Sequence, residues 1–158
     1  MDGIALRPLR SGERETVLEV FHGLSDRSRR LRFLDANPRL PARDLDLLVD
    51  VGRCGRDAVT AFDVGSGRAI GLARFVRDGD APEAEIAFEV VDEWQGRGVG
   101  RRLVAELARL AHAQGILRVR AVVDRSNQPA LALVRGLGDL VAQRPDGPAV
   151  ELVVRLDD

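Results

Sequence analysis

The sequence predicts an α/β (α+β) fold in which helices flank a mixed, mostly antiparallel central sheet of about six or seven strands. Apolar and polar side chains alternate over residues 85–90, as expected for a strand with one face in a core. A glycine-rich turn at residues 95–100 follows, and the apolar spacing after it is that of an amphipathic helix. Other strand-like segments are separated by turn residues such as Gly65-Ser66-Gly67, a hairpin signal. Several strands are therefore expected to form an antiparallel meander.

Length and charge limit the classes of protein that the chain can belong to. Its 158 residues are expected to form a single domain, residues 1–158, that buries roughly two thirds of its unfolded surface. A formal net charge of −1 gives no bulk attraction to nucleic acid or to an anionic membrane, so neither is expected as a partner. No segment approaches the roughly 20 apolar residues of a membrane span, and no signal peptide is evident. We expect a cytoplasmic protein, which agrees with a single cysteine, Cys54.

The N-terminal third is expected to contain one strand and three helices. Residues 4–8 form a short strand, and Ser11 can cap a helix that runs to about Leu24. Ser25 starts a second short helix, and Pro41 occupies the first position of a third. The second helix carries four arginines, for which a solvated face is the simpler interpretation and contact with an acidic partner or with cofactor phosphates is the alternative: Arg27, Arg29, Arg30 and Arg32.

The remaining strands and helices follow from alternation and turn residues. A long helix after the turn at residues 95–100 is expected to end near Gln114, because Gly115 can terminate it. A shorter helix is expected from about Ala130 to Gly136, after a turn at residues 124–129 that contains helix-capping residues. The strands are expected at residues 57–64, 69–77, 83–91, 117–123, 139–143 and 149–156.

The turn at residues 95–100 has the chemistry of an anion site. The first four amides of a helix have no partner within it, and the peptide dipoles place about half a positive charge there. Glycines 96, 98 and 100 leave the backbone open to a ligand, and three arginines surround it. We expect a bound phosphate or pyrophosphate; a plain strand–helix turn with solvated arginines is the alternative. The arginines are Arg97, Arg101 and Arg102.

Spacing decides which phosphate motif this is. In a dinucleotide fingerprint counted from Gly96 or Gly98, the third glycine would fall on Arg101 or Leu103, and a P-loop needs a lysine, which this chain lacks. The pattern that remains is Gln95-x-x-Gly98-x-Gly100 after a strand. It resembles the pyrophosphate loop of the GNAT superfamily of acyl-CoA-dependent N-acyltransferases. That resemblance implies acetyl-CoA as co-substrate and a GNAT-like fold.

Two further segments resemble the same superfamily. Asn127-x-x-Ala130-x-x-Leu133 is similar to a segment whose asparagine bonds the pantetheine of the cofactor. The tyrosine that relatives use as an acid for the leaving thiolate corresponds here to Val134, which is a departure. A thiol with a pKa of about 8.5 can leave as thiolate without a strong acid. The other segment resembles bacterial protein-lysine acetyltransferases and is matched by Leu24, Ser25, Ser28, Arg32 and Phe33.

The resemblance also implies site residues on the strand at residues 83–91. An alkylamine with a pKa of about 10.4 is neutral in about 1 part in 2,500 at pH 7, so a base is needed. Glu85 matches the general-base glutamate of the relatives, and partial burial would make it more basic. Glu89 is the second candidate, and a simple salt bridge is the alternative for both. The cofactor contacts implied are Phe88, Val90, Val91, Gln95, Gly96, Arg97, Gly98, Val99, Gly100, Arg101 and Asn127.

These observations predict an N-acetyltransferase that transfers an acetyl group from acetyl-CoA to a primary amine by direct attack. A protein lysine is the favoured acceptor, a small-molecule amine is the alternative within the enzyme class, and a non-catalytic acyl-CoA-binding module is the alternative outside it. No metal is expected, because His22 and His112 have no ligand spacing around them. The protein is expected to be a monomer or a homodimer.

Overall fold

The structure is a computed structural model that describes residues 3–34, 40, 42–52, 55–77 and 79–157. Its centre is a seven-stranded sheet with the strand order β1-β2-β3-β4-β5-β7-β6. Every neighbouring pair is antiparallel except β4 and β5, which are parallel. The predicted mixed, mostly antiparallel sheet is confirmed. The strands are β1 (Ile4–Pro8), β2 (Arg56–Asp63), β3 (Ala69–Arg77), β4 (Glu83–Val90), β5 (Arg118–Asp124), β6 (Gly138–Asp146) and β7 (Ala149–Leu156).

Helices cover both faces of the sheet. They are α1 (Arg14–His22), α2 (Asp26–Phe33), α3 (Ala42–Leu48), α4 (Val99–Ala113) and α5 (Gln128–Arg135). Gly71 of β3 faces α4, because a Cβ atom there would lie 2.8 Å from Leu103 Cδ1. Its neighbour Leu72 pairs with Glu89, whose carboxylate meets Arg32 of α2. Adjacent strand residues point to opposite faces, so α2 and α4 lie on opposite sides of the sheet.

Two helices, α4 and α5, cover the same face of the sheet. The apolar stripe of α4 is buried against β2, β3 and β4, and α5 packs beside it over β5 and β7. No helix in the described ranges is long and apolar enough to cross a membrane. The largest fully buried side chains include Leu72, Phe75, Leu103, Leu107, Ile116 and Leu152.

Two helix starts show how side chains decide boundaries. Ser25 caps α2 as predicted, and its hydroxyl accepts from the amide of Ser28 at 3.1 Å. Ser11 does not cap α1, which begins at Arg14 after Glu13. The prediction was wrong because the Glu13 carboxylate accepts from the amide of Arg10 and the hydroxyl of Thr16, fixing the turn at that point. The predicted positions of Pro41 and Cys54 lie outside the described residues.

The last strand pair is longer than expected. β6 pairs with β7 along the whole of Gly138–Asp146, whereas the sequence predicted residues 139–143. The register shifts between Leu140 and Ala142, which places an extra residue in β6. A bulge of this kind disturbs the alternation of apolar and polar residues that predicts a strand.

The first prediction concerns the ion pair that joins β1 to α1. Arg7 donates two bonds to Glu13, at 2.6 and 3.0 Å, and they lower the pKa of Glu13 from its usual 4.5 to about 2. A lowered pKa means that the ionised carboxylate stabilises the fold above about pH 4.5 and that this stability is lost as the pH falls toward 2. Because the pair is partly exposed, we expect Glu13→Gln to lower the free energy of unfolding at pH 7 by only about 1–2 kcal/mol.

Urea unfolding of both proteins between pH 7 and pH 2 tests this expectation, and the difference should shrink toward the acid end. Glu15→Gln is the control, because Glu15 is exposed in the first turn of the same helix. Its effect should stay below about 0.5 kcal/mol. A Glu13→Gln protein as stable as wild type at pH 7 would contradict the role of the pair.

Candidate active site

The site is organised by a gap between the two parallel strands. β4 and β5 pair over only three residues of each strand, residues 83–85 with residues 118–120. Beyond that point residues 86–90 of β4 have no partner in residues 121–124 of β5; we call this space the β4–β5 gap. The backbone of β4 that faces the gap can therefore pair with an extended ligand, as in strand addition. Phe88 and Val90, two of the predicted cofactor contacts, lie on this stretch.

Two predicted backbone contacts are already engaged at the end of β4. The amide of Val91 donates to the carbonyl of Ile70 at 2.9 Å. The carbonyl of Val90 accepts from Gln95 Nε2 at 3.0 Å, and the same nitrogen lies 3.3 Å from Ser28 Oγ. Gln95 thus connects the end of β4 to α2. Its side chain orients the strand end and the loop that follows.

The glycine loop, residues 95–100, follows a single 3-10 turn, Asp92–Trp94, and opens directly into α4. Gly96 and Gly98 have φ of +76° and +85°, a region that favours glycine, and a Cβ atom at either position would meet no heavy atom within 4 Å. Open space thus lies beside both residues. Gly98 is the N-cap of α4, so the free amides of the first helical turn lie next to that space.

The third glycine of the loop, Gly100, also contributes to helix packing. A Cβ atom at Gly100 would lie 2.9 Å from Leu133 Cδ1 of α5. Glycine at this position lets α4 pack closely on α5, in addition to any approach of a ligand to the backbone. Val99 is buried, so its side chain belongs to the core and only its amide can face a ligand.

The three arginines near the glycine loop differ in their contacts and exposure. Arg97 stacks over the ring of Trp94, with 4.6 Å from its Cζ to the ring centroid, and Arg101 is exposed. Arg102 donates to the carbonyl of Ile4 in β1 at 3.3 Å. Its predicted place around the phosphate site is therefore wrong, because the helix turns its guanidinium toward the start of the chain.

Asn127 lies at the same edge of the sheet as the glycine loop. The carboxyl ends of the parallel strands β4 and β5 meet at one edge, and Asn127 follows the end of β5. Its side chain caps α5 by accepting from the amide of Ala130 at 3.4 Å. Val134, at the position of the expected tyrosine, is fully buried, so no proton donor stands there.

The two candidate base residues have opposite environments. The side chain of Glu89 is 6% exposed, and Arg32 Nε donates to its Oε2 at 3.0 Å. Burial raises the pKa of Glu89, while Arg32 and Arg74 act in the opposite direction. The side chain of Glu85 is 55% exposed and lies 3.6 Å from Arg120. The predicted partial burial of Glu85 is wrong, because α2 reaches β4 at Glu89 and leaves Glu85 uncovered.

Sequence reasoning missed the arginine at the closed end of the gap. Arg120 of β5 forms ion pairs with glutamates of two neighbouring strands, at 2.9 Å to Glu83, 3.6 Å to Glu85 and 3.9 Å to Glu151. Only the parallel register brings Arg120 opposite Glu85, and no local pattern reveals that register. A cavity of about 420 Å³ lies beside this group, lined by Glu83, Arg118, Arg120, Arg144, Glu151 and Val153 among others.

Polar contacts attach α2 to β4 and to the residues that follow it. The amide of Ser25 donates to Asp92 Oδ1 at 2.9 Å, Ser28 contacts Gln95, and Arg32 contacts Glu89. Of the four arginines of α2, Arg29 and Arg32 make contacts within the chain, whereas Arg27 and Arg30 are exposed, as the solvated-face interpretation predicts. Arg29 also lies over the ring of Phe21 at 4.1 Å. The segment that resembled protein-lysine acetyltransferases is the one that contacts the glycine loop.

Residues 26–138 match the model of the acetyltransferase (GNAT) family. The chain belongs to the GNAT acetyltransferase family. It is 28% identical over 159 residues to an acetyltransferase of Pseudomonas aeruginosa, covering 97% of this chain and 83% of that protein. Acetyltransferase Pat of Mycolicibacterium smegmatis is 33% identical over 135 residues, which cover 84% of this chain but only 40% of that protein. The solved GNAT domain of S. lividans PAT superposes with a TM-score of 0.84 at 28% identity, covering 96% of this chain and 89% of that one.

The contrast between the two glutamates yields the second prediction. Glu89→Ala should lower the free energy of unfolding by about 3 kcal/mol, because it leaves Arg32 as a buried charge without its partner. Glu85→Ala, on the same face of the same strand, should change it by less than about 0.5 kcal/mol. Urea unfolding at pH 7 measures both. Equal effects of the two substitutions would contradict the conclusion that Glu89 stabilises the fold through Arg32 whereas the exposed Glu85 does not.

Proposed function

We propose that the chain transfers an acetyl group from acetyl-CoA to a primary amine. The observation that supports this most strongly is the continuity of the β4–β5 gap with the glycine loop. An extended ligand paired with β4 would have its anionic end at the first turn of α4. A pantetheine arm joined to a pyrophosphate has that combination of amides and charge.

The glycine loop would hold the pyrophosphate. The amides of Gly98, Val99 and Gly100 would donate to phosphate oxygens, assisted by the dipole of a 15-residue helix. Arg97 and Arg101 are exposed on either side of these amides and would add positive charge. Gly96 would let the backbone approach without a side chain in between.

The pantetheine would lie along β4. Phe88 and Val90 would offer backbone groups to its amides, with Val91 and Gln95 fixing the end of the strand. Asn127, across the gap, would offer its side-chain amide. In this arrangement the thioester lies near the closed end of the gap, where Glu85 is the last residue of β4 to pair with β5.

Glu85 is the proposed general base. It is open to an incoming amine, whereas the Glu89 carboxylate is buried against Arg32. Glu85 would take one proton from the ammonium form of the acceptor, directly or through water. The amine lone pair then attacks the thioester carbonyl carbon, and the nitrogen, now positively charged, gives its second proton to water. The carbon–sulfur bond breaks, and coenzyme A leaves as thiolate. Because Val134 replaces the tyrosine, that thiolate would take its proton from water.

A protein lysine is the acceptor that we favour. This proposal is supported by the similarity to Pat proteins and by the place of their shared segment, α2, beside the glycine loop and β4. The burial of Val134 favours one further candidate, a module that binds acyl-CoA without turnover. The two predictions below separate these alternatives.

The third prediction tests the donor site. Gly98→Glu should abolish micromolar binding of acetyl-CoA in calorimetric titration, because it places a carboxylate beside the amides and requires a non-glycine residue at φ +85°. Gly67→Glu is a matched control, since Gly67 has φ +73°, is exposed, and lies in the β2–β3 hairpin. Wild-type protein that binds no acetyl-CoA, or equal loss in both variants, would overturn the assignment of the loop.

The fourth prediction tests the base. Glu85→Gln should lower kcat by about 10²- to 10⁴-fold on an accepted amine, with the affinity for acetyl-CoA unchanged. Glu83→Gln, two residues earlier on the same face, shares the contact with Arg120 and should change kcat by less than about threefold. If kcat falls in Glu89→Gln and not in Glu85→Gln, the general base is Glu89 and not Glu85. Tight acetyl-CoA binding with no turnover on any amine, unaltered by Glu85→Gln, would support the binding module.

A further inference from the structure

Arg74 is a half-buried cation close to the proposed base. It lies on β3, paired with Ala87 of β4 and Ala58 of β2, on the face that α2 covers in part. Glu85 and Glu89 flank Ala87 by two residues on either side, so both are diagonal neighbours of Arg74 across the strand pair. No residue in the described part of the chain forms a hydrogen bond or an ion pair with its guanidinium.

The arginines around Arg74 each have a carboxylate of their own. Arg32 bonds Glu89 at 3.0 Å, and Arg56 lies 3.9 Å from Asp50. Burial lowers the pKa of Arg74 and the charge of Arg32 lowers it further, while the charges of Glu89 and Glu85 act in the opposite direction. Arg74 therefore loses part of its hydration without gaining a bonded partner among the described residues, an arrangement that costs stability unless a ligand supplies the anion.

We propose that Arg74 binds a carboxylate group of the acceptor, held beside the amine that is acetylated. The inference rests on the proposed function, because it assigns the acceptor to the face that carries Glu85. A guanidinium presents a planar fork that matches a carboxylate in two bonds. The acceptor would then place its amine at Glu85 and its carboxylate at Arg74.

The distance between the two residues limits what the acceptor can be. Diagonal neighbours in an antiparallel pair lie about 7–8 Å apart at their Cα atoms, a span that two side chains largely fill. The amine and the carboxylate must therefore be close together in the acceptor. A free amino acid meets this requirement, and so does a protein lysine flanked by an acidic residue.

The test compares acceptors that differ only in the carboxylate. One arm uses L-amino acids and their carboxamides; the other uses lysine peptides with Glu or Gln next to the lysine. In one of the two arms, the wild-type protein should acetylate the acceptor that carries the carboxylate with a kcat/KM about 10- to 100-fold higher than that of the matched amide. Arg74→Gln should reduce that ratio to about 1, while Arg56→Gln, the matched control on the neighbouring strand, should keep it. The arm that shows the preference identifies the source of the carboxylate.

A binding experiment separates this inference from the proposed reaction. The same acids and amides are titrated into protein saturated with coenzyme A. If acids bind preferentially through Arg74 but are not acetylated, the inference about Arg74 is supported and the proposed acetyl transfer is refuted. Acetylation with no preference for acids would sustain the reaction and refute the inference. Neither binding preference nor acetylation would overturn both.

A stability measurement shows whether an Arg74 variant loses its preference for acids only because its fold is destabilised. Arg74→Met removes a half-buried charge that has no partner among the described residues, so the melting temperature of the free protein should rise by about 2 °C or more. Arg74→Lys keeps the charge but loses the fork, so it should retain only part of the preference for acids. A fall in melting temperature for Arg74→Met would show that the guanidinium is structural and would refute the proposal.

Discussion

The short parallel pairing of β4 and β5 is the constraint on which the site depends. The two strands pair over residues 83–85 and 118–120 and then separate, while each continues to pair with its antiparallel neighbour, β3 or β7. The backbone of β4 beyond Glu85 therefore pairs with β3 on one side and has no partner in β5 on the other. A gap of this kind would be costly in a sealed core. The gap is the proposed binding site because the glycine loop opens at the same edge.

Close packing of α4 and α5 fixes the far side of the gap. Gly100 leaves so little room that a Cβ atom would lie 2.9 Å from Leu133, so the helix after β4 and the helix after β5 meet near the gap. Gly71 plays a similar part for α4 and β3, where a Cβ atom would come within 2.8 Å of Leu103. Gly71 and Gly100 thus allow close packing of α4, whereas Gly96 and Gly98 provide a backbone with positive φ.

The sequence predicted the strands, the glycine loop and the family, because each depends on local pattern. The alternation of apolar and polar residues indicates one buried face, and the glycines at positions 96 and 98 indicate a backbone with positive φ. The sequence did not predict which glutamate is buried. Glu85 and Glu89 share one face of β4, and only the placement of α2 distinguishes them. The cluster at Arg120 was missed for the same reason, since it depends on the register of strands far apart in the chain.

The placement of α2 connects the two halves of the proposed site. None of the residues of α2 is fully buried, so its position depends on polar contacts and on the partly buried Phe33 more than on a deep apolar stripe. Those contacts reach the loop at Gln95 and the strand at Glu89, both toward the loop end of the stretch that would hold the pantetheine. Because Glu89 engages Arg32, it is withheld from Arg74. One ion pair therefore fixes α2 beside the proposed donor site. It also leaves Arg74 without a bonded partner among the described residues, at the place where we propose that the acceptor binds.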